Sequence, residues 1–84
     1  MHENDISFAI RGAAFKVHSR LGPGLLESVY ESSLAYELRT KEFDVQTQVA
    51  VPVVYEDVKL EHGFRIDLLV NNKVIVEIKS VEQF

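Results

Sequence analysis

At 84 residues, with a formal net charge of −4 and no cysteine, the chain is read as one small acidic domain spanning residues 1–84. The absent cysteines exclude disulfides and thiolate metal sites and point to a reducing compartment, the cytoplasm; no apolar run approaches the ~20 residues that span a bilayer, and Met1 to Ile10 lacks the basic-then-apolar order of a secretory signal. The charge argues against passive electrostatic attraction to nucleic acid, though not against an enzyme of nucleic acid whose carboxylate-lined cation site is itself acidic.

From Asp5 to Leu21 the apolar residues Ile6, Ile10, Ala13, Ala14, Val17 and Leu21 recur at helical spacing, with Asn4 or Asp5 as the cap. Gly22-Pro23-Gly24 ends this helix, because glycine tolerates a left-handed exit and proline suits the first turn of a second helix. That second helix is expected from Pro23 or Gly24 to Lys41, with Leu26, Val29, Tyr30, Leu34 and Leu38 as its stripe and Glu27 in its first turn, where the helix dipole favours a carboxylate. From Phe43 to Tyr55 the period becomes two: Phe43, Val45, Thr47, Val49, Val51, Val53 and Tyr55 share one face, Asp44, Gln46 and Gln48 the other, and Pro52 places the strand at an edge or bends it. Glu56-Asp57 is a turn. A strand begins over Val58 to His62, Gly63 marks a bulge, Phe64 to Val70 is a strand, and Val74 to Lys79 is the last one. The order is α+β: two N-terminal helices, then a three- to four-stranded antiparallel meander.

The loop Asn71-Asn72-Lys73 decides the chemistry. A two-residue turn would pair Asp67 with Val76 and point Asp67 and Glu77 to opposite faces. A three-residue turn pairs Val70 with Val74, Leu68 with Val76 and Ile66 with Ile78. All six are apolar and share one face, and Asp67 then faces Glu77 on the other. The apolar pattern selects the second register. Opposed side chains have Cβ atoms about 4.5–5.5 Å apart, so two carboxylates repel unless a cation lies between them. Mg²⁺ or Mn²⁺ prefers such hard oxygens. Lys79 projects to the same face, placed to act on a water or on phosphate charge during metal-assisted phosphodiester hydrolysis. The plainer reading is a wet strand face whose acids pair with Lys79 or Arg65. Leu69 and Ile75 on that same face favour partial cover.

Gly24-Leu25-Leu26-Glu27-Ser28-Val29-Tyr30, preceded by Val17-His18 and Leu21-Gly22-Pro23 and followed by Glu31, resembles the G-x-x-E-x-x-Y signature of the GxxExxY family. Asp67 and Glu77-Ile78-Lys79 look like the D and E-x-K of the PD-(D/E)XK nuclease superfamily, to which that family is assigned. The resemblance implies a restriction-endonuclease-like core, a mixed sheet flanked by helices with the Asp67–Lys79 hairpin at its centre. It implies Asp67, Glu77, the Ile78 backbone carbonyl and Glu27 as ligands of Mg²⁺ or Mn²⁺, with Glu31 a less favoured substitute for Glu27. Lys79 would act on the attacking water, and DNA rather than RNA would be the substrate. It also implies a core whose last helix and strand lie beyond Phe84, leaving an edge strand that invites a homodimer. The competing expectation is a non-catalytic interaction or oligomerisation module derived from the nuclease fold.

Other residues read more plainly. His18 is a helix-terminal histidine bordering the site by resemblance, His62 has no role, and the three histidines show no zinc spacing. Tyr30 is a core aromatic with a polar tip. Arg11, Lys16 and Arg20 form a modest basic strip on a solvated face of the first helix.

Overall fold

The computed structural model describes residues 1–79. Helix α1, Glu3–Leu21, starts two residues earlier than the apolar spacing places it. The cap is His2 rather than Asn4 or Asp5: its Nδ1 accepts from the Asn4 amide at 3.0 Å. The unprotonated imidazole nitrogen takes the place of the usual cap oxygen, and Glu3 and Asp5 fall into the first turn, where the dipole favours them. Gly22 closes the helix at φ 75, its N–H donating to the His18 carbonyl at 2.8 Å.

Helix α2, Glu27–Thr40, starts later than Pro23 or Gly24. Gly24 takes φ 86, outside the right-handed helix, so residues 23–26 form a connector. No side chain caps α2; the backbone of Leu26 takes the position, accepting from Val29 N at 3.0 Å.

The expected long strand from Phe43 to Tyr55 is two elements. β1, Val45–Val51, stops at Pro52, which has no N–H to donate. β2, Val54–Tyr55, pairs with β3, Val58–Lys59, as a separate two-stranded ribbon, closed by Glu56 and Asp57 at φ 48 and 66. Positive φ at both turn positions matches the right-handed twist of a hairpin. β4, Phe64–Val70, has the bounds read from the sequence; β5, Val74–Val76, is shorter than Val74 to Lys79. The main sheet has the order β1-β4-β5, with antiparallel ladders throughout. The hairpin register is the predicted one: Val70 with Val74, Leu69 with Ile75, Leu68 with Val76. Asn71 and Asn72 hold the turn at φ 52 and 54, and Asn71 binds the Asp44 backbone, its N–H donating to the carbonyl and its Oδ1 accepting from the amide, each at 2.8 Å.

One face of this sheet meets the helices. Ile6, Ile10 and Ala13 of α1 and Leu34, Ala35 and Leu38 of α2 pack on Val45, Leu68 and Val70, with Phe43, Val74, Val76 and Ile78 partly buried against them. Val76 and Ile78 therefore do lie on the apolar side, as the pairing argument required. The other parity of the strands carries Asp67 and Leu69, half-buried, and the exposed Ile75.

Gly63 is a point of close approach rather than a simple bulge. A Cβ there would overlap the Val51 carbonyl oxygen and lie 3.3 Å from the Pro52 Cα, so backbone would have to move. Gly63→Ala is therefore expected to cost about 1–3 kcal/mol, the usual penalty for overpacking, read as a lower urea midpoint with unchanged slope. An unchanged midpoint would show that the β1–β4 end yields freely.

Candidate functional site

Asp67 stands near the middle of β4, the central strand, with both carboxylate oxygens engaged. Oδ2 accepts from the Ile78 backbone N–H at 2.8 Å, and Oδ1 accepts from the Gln48 side-chain amide at 3.4 Å. The first bond explains why β5 is short. The ladder register makes Asp67 and Glu77 the next pair after Leu68 and Val76, but the Asp67 carboxylate takes the N–H of Ile78, and regular pairing ends at Val76.

Gln48 owes its position to an unusual backbone. The β1–β4 ladder pairs Thr47 with Leu68 and Val49 with Ile66, and between them Gln48 adopts φ 52 and is not bridged to Asp67. A non-glycine residue in this region costs of order 1–3 kcal/mol and persists where its surroundings hold it. The holding contacts here are two carboxylates: the same amide nitrogen donates to Glu31 Oε1 of α2 at 2.6 Å. Acids from α2 and β4 thus converge on one donor from β1. A neutral amide donor shared by two carboxylates marks a place where their combined field favours positive charge.

The residues predicted to form the site are only partly assembled. Asp67 stands on the central strand, in contact with Gln48 and the Ile78 amide. Glu77 and Lys79 are exposed beyond β5 and make no hydrogen bond or ion pair among the described residues. Glu27 is exposed in the first turn of α2, and Glu31, one turn further along and half-buried, is the acid that shares Gln48 with Asp67. Ile78, expected to offer its carbonyl to a cation, presents its N–H to Asp67. Among the described residues no three His, Asp or Glu side chains are grouped to hold a metal ion. Gln48 carries no role when the sequence is read alone; the signal that could have found it is its place opposite Asp67, once β1 is aligned on β4.

The G-x-x-E-x-x-Y segment has a local structural logic. The Tyr30 hydroxyl donates to the Gly22 carbonyl and accepts from the Leu25 N–H at 3.4 Å, clamping the connector that Gly22 and Gly24 allow. That clamp sets where α2 begins, and so where Glu27 and Glu31 fall. The polar tip expected of Tyr30 is engaged in the connector.

Over residues 4–84 the chain matches the model of the PD-(D/E)XK nuclease superfamily, and it belongs to that superfamily. Its two helices followed by antiparallel strands are consistent with the restriction-endonuclease-like fold, and the superfamily's nucleases generally use divalent metals. No curated protein and no solved structure matches the chain. No helix among the described residues is long and apolar enough to cross a membrane.

Proposed function

We propose that this chain is a metal-dependent nuclease domain of the GxxExxY kind, hydrolysing phosphodiester bonds of DNA. The observation that carries this reading is the convergence of Glu31 and Asp67 on the Gln48 amide, within a chain that belongs to the nuclease superfamily. The donor chemistry suits Mg²⁺ or Mn²⁺, which take carboxylate and carbonyl oxygens. Asp67 would be the central ligand, with Glu77, the Ile78 carbonyl and a carboxylate of α2, Glu27 or Glu31, completing the set. Gln48 would swing away or remain as a donor to whichever acid is left over.

When bound, such a cation neutralises phosphate charge and lowers the pKa of a coordinated water. The rest falls to the protein. Asp67, tied to the Ile78 N–H, fixes the backbone just before Lys79. Lys79 would place its ammonium against the attacking water or a non-bridging phosphate oxygen.

The Gln48 bridge also supports a second reading, a non-catalytic module in which an amide has taken over the cation's role between the acids. Incubating labelled DNA with the protein and Mg²⁺ or Mn²⁺ separates the two. The nuclease reading expects cleavage that EDTA abolishes and Lys79→Ala slows, together with a rise in melting temperature on adding Mn²⁺. No cleavage with either ion and no Mn²⁺ stabilisation would leave only the module.

A further inference from the structure

A groove of about 370 Å³ opens between α1 and α2. Its polar lining is Lys16 and Arg20 from α1 and Ser32, Ser33, Tyr36 and Glu37 from α2. The volume lies within the roughly 300–1,000 Å³ of sites that take small organic groups. In a chain with 13 acidic and 9 basic residues, this groove gathers two cations against one acid. Glu37 pairs with Lys16 at 3.0 Å and holds its ammonium in place. Arg20 makes no hydrogen bond or ion pair among the described residues, so its guanidinium fork remains available. Tyr36 is 65% exposed on the same wall, an aromatic face turned to water. Two serine hydroxyls lie beside it. Ser33 donates to the Val29 carbonyl at 2.8 Å and keeps its oxygen free to accept.

A guanidinium unpaired among the described residues, an ammonium shared with Glu37, hydroxyls and an exposed ring within one groove are the parts that recognise a phosphate with its base. A duplex keeps its bases stacked and could not offer one to Tyr36, whereas a single strand can. We propose that this groove binds one nucleotide of a single-stranded nucleic acid, with the phosphate on Arg20 and Lys16 and the base stacked on Tyr36. The inference rests on the nuclease reading and extends it. Ser32 directly follows Glu31 in α2, so a strand lying in the groove runs alongside the helix that carries Glu31 to Asp67.

The test is binding of a short fluorescein-labelled single-stranded DNA in EDTA, where cleavage plays no part. Arg20→Ala should weaken binding and lower the slope of log affinity against log salt by about 0.7, the value for one phosphate contact on a single strand. Tyr36→Ala should weaken it by about tenfold, as loss of one base stack does. Glu37→Gln, which releases Lys16 from its carboxylate, should tighten it by about fivefold. Lys59→Ala, on the β2–β3 ribbon, should change nothing. Circular dichroism checks that each variant is folded. Wild-type affinity in both Arg20→Ala and Tyr36→Ala overturns the groove, as does equal competition by a polyglutamate peptide. The two readings fail separately. Cleavage by the wild type with wild-type affinity in both Arg20→Ala and Tyr36→Ala removes the groove alone. Groove-dependent binding without any cleavage supports the groove and removes the nuclease.

Discussion

If Asp67 holds the cation as proposed, Asp67→Asn should abolish cleavage while leaving the fold standing. Asparagine has nearly the same size, and its carbonyl can still accept from the Ile78 N–H that aspartate now binds. Its other terminus becomes an amide facing the Gln48 amide, so one hydrogen bond is lost, or Gln48 turns over and abandons Glu31. Either change costs about 1 kcal/mol. The charge is what matters for chemistry. Replacing even supporting groups around a metal typically costs 10–100-fold in affinity or activity, so loss of a carboxylate that itself held the cation should exceed about 100-fold. Saturating Mn²⁺, at about a hundred times its dissociation constant, stabilises a protein that binds it by about 2.7 kcal/mol, and that gain should vanish in Asp67→Asn. Equal cleavage rates, or equal Mn²⁺ stabilisation in the two proteins, would remove Asp67 from the site.

The second large effect concerns the scaffold. Leu68→Ala should cost about 2–5 kcal/mol, from lost burial and the cavity it leaves. Leu68 is fully buried, on the central strand, paired with Thr47 on one side and Val76 on the other, beneath both helices. Native domains hold roughly 0.05–0.15 kcal/mol per residue, so this one change would consume a large part of the total. Ile75→Ala, on the neighbouring strand but 59% exposed, should stay within about 1 kcal/mol. Urea unfolding followed by circular dichroism compares them. Similar losses from both would mean that the two sheet faces are not divided into covered and open.

How far the sequence can be read differs from element to element. The β4–β5 register is legible because six apolar residues must share a face, and only a three-residue turn allows it; the ladder has that register through Val74, Ile75 and Val76. Both helices are legible from their periodicity, but their starts are not. His2 caps through a ring nitrogen that cap preferences rank low, and two left-handed glycines delay α2. Pro52 signals a break without saying that the chain beyond it forms a ribbon of its own. Of the residues that meet around Gln48, Asp67 stands out in the sequence and Gln48 does not, because a positive φ in a non-glycine strand residue leaves no mark in the apolar pattern. Glu31 ranks behind Glu27 in the sequence for a related reason: a motif picks Glu27 by spacing, whereas the Gln48 contact depends on how α2 lies across the sheet.

The β2–β3 ribbon has a consequence for how the molecule assembles. It is nested inside the β1–β4 hairpin, occupying the segment 52–63 that any approach of Val51 to Phe64 must close. Closing a floppy loop loses entropy that grows with its length, and a two-residue turn between Tyr55 and Val58 forms on a far shorter timescale than pairing of distant strands. Once that small turn has formed, the stretch left to close is short. Pairing that started there would run outward from Phe64 and Val51 toward Val70 and Val45 and bring Gln48 and Asp67 together midway along the seam, an order that slower folding on lengthening the Glu56-Asp57 turn would reveal.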